Sequence, residues 1–168
     1  MAAEAGADYA IVLVPSYFHF AMNEDAIVAF FQEVRKDNSM AWHGFSAIAM
    51  ILTEILIQLA DASPLPILIY NFPGVVAGLD VNSDMLAVLG KHPNIVGVKL
   101  TCGGIAKVAK VRAAFEPEQF SALAGQSDWL VPALSVGGMG VVTGVANLYP
   151  KVSGTAPPLL SQLYANQR

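Results

Sequence analysis

The sequence predicts an α/β fold on a parallel sheet and, within that class, a TIM (β/α)8 barrel, here as a fragment. Three observations carry the prediction. Five apolar runs recur along the chain, helical periodicities fill the gaps between them, and the residues with chemistry to offer stand where the runs end. Parallel strands need crossover helices, so a β-α-β-α order implies a parallel sheet. A doubly wound open sheet usually carries a phosphate-binding glycine loop after its first strand, and none follows Val14. The cluster Gly137-Gly138-Met139-Gly140 precedes a run rather than following one, so it does not match a dinucleotide fingerprint. In a barrel, active residues gather at the C-terminal ends of strands. Tyr17, Tyr70, Lys99, Gly125-Gln126-Ser127 and Asn147 all occupy such places. Eight units need about 250 residues; 168 residues with five runs read as part of a barrel.

The runs are Tyr9–Pro15, Pro66–Pro73, Ile95–Thr101, Phe120–Ser127 and Gly140–Asn147. Rich in Val and Ile and bounded by Pro and Gly, they read as strands buried on both faces. Asn23-Glu24-Asp25 caps a helix through Ala26-Ile27, Phe30-Phe31 and Val34, an i, i+3/i+4 stripe. Asn82-Ser83-Asp84 opens a second, with Met85, Leu86, Val88 and Leu89, stopped near Gly90 and Pro93. Gly103-Gly104 leads into a third carrying Ile105, Val108, Val111 and Phe115, with Lys107, Lys110 and Arg112 on its other face. Asp128 is the expected cap of a fourth through Leu130, Val131 and Leu134, ending at Gly137-Gly138.

Composition narrows the function. Hydrophobic residues make up 55% and charged residues 13%, so the chain is core-rich rather than disordered. Net charge is −4, and no Lys/Arg cluster alternates with aromatics, which argues against nucleic acid as a partner. The longest apolar stretch, Phe45–Ala60, contains Thr53, Glu54 and Gln58 and is too short and polar for a membrane span. One cysteine, Cys102, fits a reducing compartment. The first nine residues carry Glu4 and Asp8 but no basic residue, so no leader is visible. The expected location is cytoplasmic. His19, His43 and His92 share no metal-ligand spacing, so no metal site is expected. Cys102 reads as a buried or pocket-edge thiol, and Ser127-Asp128 as a helix cap rather than a catalytic pair.

Lys99 is the most informative residue. It is a lone cation ending the run Ile95-Val96-Gly97-Val98. Poor solvation disfavours an ammonium ion, and a neutral amine attacks a ketone carbonyl to form a Schiff base. The bland alternative is a lysine emerging from the strand into water. Tyr70 ends the neighbouring run Ile67-Leu68-Ile69. Taken alone it is as well explained as a core tyrosine, and Tyr17 as a loop aromatic packed on Phe18 or Phe20.

Together the motifs resemble the dihydrodipicolinate synthase and N-acetylneuraminate lyase family of class I pyruvate aldolases. They are Val14-Pro15-Ser16-Tyr17, Ile69-Tyr70-Asn71-Phe72-Pro73, Pro93-Asn94-Ile95-Val96-Gly97-Val98-Lys99, Leu123-Ala124-Gly125 and Gly140-Val141-Val142-Thr143-Gly144-Val145-Ala146-Asn147. Their order and spacing fit the family's fourth to eighth strands, and the likeness covers most of residues 5–34 and 60–150. It implies a homotetrameric barrel that joins or releases pyruvate through a lysine imine, without metal or organic cofactor. Lys99 matches the imine-forming lysine, and Tyr70 the tyrosine that relays protons. Tyr17 matches a tyrosine that completes a relay in a neighbouring subunit. Gly125 and Val142 match pocket-lining positions, and Thr101 joins them in the substrate-binding set. The implied partner is a small 2-oxo acid, pyruvate or its aldol product.

Dihydrodipicolinate synthases usually carry an arginine two residues after the proline of the tyrosine motif. Here that residue is Val75, which cannot pair with a carboxylate. The wording of the segment is most similar to eukaryotic 4-hydroxy-2-oxoglutarate and 2-keto-3-deoxy sugar-acid aldolases. The alternatives are a dihydrodipicolinate synthase-like condensing enzyme and a non-catalytic fragment or defective gene product.

Two departures from the family pattern stand out. The N-terminal third, with three strands and a threonine-rich turn that grips the pyruvate carboxylate, has no counterpart here, so this chain is expected to be inactive or nearly so. Residues 35–59 interrupt the partial barrel of residues 1–150. Val34-Arg35 and Gln58 can be encoded by splice-like dinucleotides, so this segment reads as a translated intron; an ordinary surface insertion is the alternative. Phe45, Ile48, Ile51, Leu52, Ile55 and Leu59 form an apolar helical stripe within it. Residues 151–168 form an atypical tail, with Lys151-Val152-Ser153 open to the same splice reading.

Overall fold

The computed structural model describes residues 2–13, 47–76, 78–151 and 153–154. Five parallel strands form one sheet in sequence order: β1 (Ala10–Leu13), β2 (Ile67–Asn71), β3 (Ile95–Leu100), β4 (Ser121–Ala124) and β5 (Gly140–Val141). The helices between them are α1 (Ala47–Ala62), α2 (Ser83–Leu89), α3 (Ala106–Ala114) and α4 (Leu130–Ser135), with α5 (Val145–Leu148) following β5. An unreversed strand order with a helix after each strand is the arc of a singly wound barrel; a doubly wound sheet would reverse direction.

Strand alternation sorts the side chains onto two faces. Ile67, Ile69, Val98, Leu100, Ala122 and Ala124 join Leu52, Leu56 and Ala60 of α1, Met85, Leu86 and Leu89 of α2, Val108 and Val111 of α3 and Ala133 of α4 in one core. Each fully buried aliphatic side chain there contributes on the order of 1.5–3 kcal/mol. The opposite face, which a closed barrel would enclose, carries Ile11, Leu13, Leu68, Tyr70, Gly97, Lys99, Ser121 and Leu123. It is less covered: Leu68 is buried, whereas Ile11 is 42% exposed. Among the described residues, β1 and β5 each have an unpaired edge.

The β2–β3 register shifts once. Ile67 pairs with Ile95, but Leu68 pairs with Gly97, so Val96 is an extra residue in β3. Beyond that shift, Tyr70 pairs with Lys99 and Asn71 with Leu100.

Local signals account for most boundaries. The Asn82 side chain accepts from the N–H groups of Asp84 and Met85, both at 3.0 Å, starting α2. Gly90 ends that helix where a Cβ would come within 2.6 Å of the Phe115 ring. After α4, Gly137 adopts φ +86°, its N–H donates to Leu134 O, and that of Gly138 donates to Ala133 O. This paired closure is what the Gly-Gly stop predicts.

Three expectations need correction. The fifth run is not a strand to Asn147: only Gly140–Val141 pair, and Val145–Leu148 is helical. Asp128 does not cap α4. It lies in a 3-10 turn, Ser127–Trp129, and α4 starts after Trp129 without a side-chain cap. Ser127 Oγ instead meets Thr143 Oγ1 at 2.5 Å, linking the loops after β4 and β5. Lys107 and Arg112 do not simply face solvent. Lys107 is 14% exposed in a pair with Asp80, and Arg112 donates to Phe115 O.

The helix α1 runs through position 59. Of its buried residues, Ala49, Leu52, Thr53 and Leu56 lie within positions 35–59 and Ala60 just beyond. Thr53 Oγ1 donates to Ala49 O at 2.8 Å. Phe45, the side chains of Ile48 and Ile51, the helix expected from Asn23 to Val34, and residues 155–168 lie outside the described set.

Candidate active site

The ends of β2 and β3 bring Tyr70 and Lys99 together. They are 29 positions apart in sequence but are register partners on the same face of adjacent strands. Lys99 Nζ lies 3.8 Å from the centre of the Tyr70 ring. A cation over an aromatic face at that range gains about 0.5–2 kcal/mol, depending on desolvation. The Phe72 ring centre lies 5.7 Å from that of Tyr70. Both Tyr70 and Lys99 are half-buried, so the amine sits against apolar surface while remaining reachable.

Small residues let the strands approach beneath this pair. A Cβ on Gly97 would lie 2.4 Å from Ser121 O and 2.9 Å from Leu68 Cδ1, so only glycine fits there. Thr101 follows β3, and its N–H donates to Asn71 O at 2.8 Å. Its hydroxyl is buried without a hydrogen-bond partner among the described residues. Gly125 follows β4: its N–H donates to Leu100 O at 2.8 Å, and a Cβ on it would fall 1.8 Å from Thr101 Oγ1. Val142 follows β5, two strands from Lys99, with its N–H donating to Ala124 O at 2.9 Å. Of the residues singled out from the sequence, five therefore stand at consecutive strand ends, in two direct contacts: Lys99 with Tyr70, and Thr101 with Gly125. Tyr17 lies outside the described residues.

Sequence reasoning missed a polar cluster behind this edge. The Asn71 carboxamide, 1% exposed, accepts from Val81 N–H at 3.0 Å and donates to Asp80 Oδ1 at 2.8 Å. Lys107 Nζ reaches the same Asp80 oxygen at 2.5 Å and Val81 O at 3.0 Å. Asn71 was visible as the residue after Tyr70, but nothing in the sequence linked it to positions 80 and 107. Cys102 lies beside this cluster. Burial pushes its thiol above the usual range, the Asp80 carboxylate adds to that, and the Lys107 ammonium opposes it. That fits a pocket-edge thiol rather than a nucleophile. Among the described residues, no group of three or more His, Cys, Asp or Glu side chains is placed to hold a metal ion, and no helix is long and apolar enough to cross a membrane.

Comparison with known proteins agrees with this geometry. The profile of the "Dihydrodipicolinate synthetase family" matches residues 52–156, starting inside the interrupting segment. A Coccidioides immitis protein named "Putative 4-hydroxy-2-oxoglutarate aldolase, mitochondrial" is 40% identical over 151 residues, covering 89% of this chain and 40% of its own length. An L-threo-3-deoxy-hexylosonate aldolase from Hypocrea jecorina is 35% identical, over 90% of this chain and 42% of its own. Among solved structures, a dihydrodipicolinate synthase family protein from Coccidioides immitis superposes with a TM-score of 0.70 at 31% identity. That match covers 99% of this chain and 44% of the other. A prophage protein of the dihydrodipicolinic acid synthase family from E. coli K12, solved with pyruvate, gives a TM-score of 0.65 at 27% identity, over 90% and 43%. The five strands are thus part of a TIM barrel, and the chain spans about two fifths of the length of the curated relatives it matches.

The expected cytoplasmic location does not stand. Two of the relatives, from Coccidioides immitis and Emericella nidulans, are named as mitochondrial. A single thiol does not distinguish the cytosol from other reducing compartments. The first residues of a chain that matches part of longer relatives say nothing of a leader. From residue 52 onward, motif order, strand order and register all give one lineage: the chain belongs to the dihydrodipicolinate synthetase family.

Proposed function

We propose that these residues are the imine-forming part of a class I aldolase, a lyase that cleaves or forms a 2-oxo acid with pyruvate as one partner. The observation that carries the reading is the Lys99 amine 3.8 Å from the Tyr70 ring, on neighbouring strand ends. In this reading the neutral Lys99 amine attacks the C2 carbonyl of the keto acid, giving a carbinolamine. Tyr70 hands a proton to the departing hydroxyl, water leaves, and a protonated imine remains. In the cleavage direction the imine accepts the electron pair of the C3–C4 bond as that bond breaks and the C4 hydroxyl becomes a carbonyl. The phenolate of Tyr70 takes the hydroxyl proton. Proton return to C3 and hydrolysis release pyruvate. Thr101, Gly125 and Val142 line the pocket, and no metal or organic cofactor enters any step.

Val75, a half-buried residue of the turn Pro73–Val75, offers no charge to the carboxylate of a second substrate, which weakens the alternative of a dihydrodipicolinate synthase-like condensing enzyme. The aldolase names of the relatives support 4-hydroxy-2-oxoglutarate or a 2-keto-3-deoxy sugar acid. A homotetramer, with Tyr17 serving a neighbouring subunit, belongs to the same reading, and light scattering tests it. The five strands of the described residues form an open arc rather than a closed barrel, so the 168-residue chain alone is expected to turn over little or nothing.

Borohydride reduction in the presence of pyruvate, followed by peptide mass spectrometry, tests the assignment. A reduced pyruvyl adduct on Lys99, absent from Lys99→Met, is the expected result. An equal adduct yield in Lys99→Met, or none in the parent, would remove the imine from the account.

A further inference from the structure

We infer that Asn71, Asp80 and Lys107 form a positioning network that holds the Tyr70 ring against the Lys99 amine. The inference rests on the lysine–tyrosine reading and adds to it three residues that touch neither reacting atom. Asn71 is the last residue of β2 and faces the helix side, where its strand neighbours Ile69, Leu100 and Ala124 are all apolar. Packing alone would be served by another aliphatic residue there. An amide buried in such surroundings is costly unless bonded, and this one is bonded at both ends. Hydrogen bonds have direction that apolar contact lacks, so the amide fixes how the strand tip is turned.

The bonds close a ring. From Asn71 the side chain reaches Asp80 and Val81. Lys107 of α3 grips the same two residues, at Asp80 Oδ1 and Val81 O. The helix α3 is joined to the end of β3 by only the short turn 101–105, and Thr101 N–H returns to Asn71 O. The tips of β2 and β3, one carrying Tyr70 and the other Lys99, are thereby tied to each other and to one helix. Lys107 is 14% exposed and Asp80 44%, so the ion pair at the centre of the ring is partly shielded from water. Losing it frees the segment between Phe72 and Val81 to shift, and the Tyr70 ring with it.

The test reads the ring–amine contact directly, without turnover. Lysine ε-carbons are labelled in the full 168-residue chain, and the ε-methylene protons are observed by NMR. Lys99 is expected upfield of the other lysines because it lies over an aromatic ring. Its signal is identified by its loss in Lys99→Arg and by its return to the common position in Tyr70→Leu. In Asp80→Asn and in Lys107→Met the upfield displacement should fall by more than half, while the circular-dichroism melt stays cooperative. Lys107→Arg, which keeps the cation, should restore it. An unmoved Lys99 signal in either folded variant overturns the network. A Lys99 signal never displaced in the parent chain overturns the lysine–tyrosine reading itself, and the network with it.

Discussion

Gly125→Ala is the sharpest probe of how the strand ends fit together. The added methyl would sit 1.8 Å from Thr101 Oγ1, 2.9 Å from Thr101 Cβ and 3.0 Å from Leu100 O. Thr101 could swing its hydroxyl away, but a β-branched side chain has few rotamers, and an off-rotamer angle costs about 0.5–1.5 kcal/mol. Rotation would leave the contacts to Thr101 Cβ and the Leu100 carbonyl in place, and both belong to backbone-anchored atoms. Overpacking of this kind costs about 1–3 kcal/mol, and three simultaneous contacts place Gly125→Ala at the top of that range. About 3 kcal/mol lowers the folded-to-unfolded ratio on the order of a hundredfold. Thr101→Ala removes a methyl and a hydroxyl that has no partner among the described residues, so its own cost should be about 1 kcal/mol. The double variant should be less destabilised than the sum of the two by about 1–2 kcal/mol, because the shortest contact has gone. Urea unfolding followed by circular dichroism, with linear extrapolation, gives all four corners of the cycle. Gly125→Ala within about 0.5 kcal/mol of the parent, or strict additivity, would refute the close fit of these strand ends.

Leu56→Ala removes a side chain of α1 that is 1% exposed in the core. It should cost about 2–5 kcal/mol in the same urea assay, and a neutral result would mean that the interrupting segment adds nothing to stability. Asn82→Ala deletes the two hydrogen bonds that open α2 and should lower stability by about 1 kcal/mol, with Asn82→Asp close to the parent. Cys102 supplies a pH dependence. Its folded thiol keeps its proton to higher pH than the unfolded one. Its contribution is therefore full below the unfolded value, about 8.5, and declines as pH rises from there through the folded value. Across that window the parent should lose stability relative to Cys102→Ala, and parallel curves would contradict the burial of the thiol.

Much of the fold was legible because its signals are local. Val- and Ile-rich runs marked β2 and β3 within one or two residues, Asn82 marked the start of α2, and Gly137-Gly138 its counterpart at the end of α4. The fifth run was misjudged past Val141 because a short apolar run has no period that separates strand from helix. Asp128 looked like a cap because its residue type suits one, yet the chain makes a 3-10 turn first. The site itself was half visible. Lys99 and Tyr70 could be named as strand-end residues, but their contact depends on register, which no single strand encodes. The Asn71–Asp80–Lys107 cluster was invisible for a related reason. Its members are spaced by 9 and 27 positions, and each alone reads as an ordinary polar residue.

The extra residue Val96 decides which face of the sheet Lys99 joins. Had β3 stayed in step from Ile67 and Ile95, Lys99 would have fallen opposite Asn71, with its amine aimed among the helices. One unmatched position reverses that parity and delivers the amine to the tyrosine. A deletion at 96 would bring Gly97, Val98 and Lys99 into plain register with Leu68, Ile69 and Tyr70, so the amine would keep its face; retaining Val96 as an ordinary paired residue is what would turn it toward the helices. The placement of the amine depends on odd versus even counting as much as on which amino acids are present.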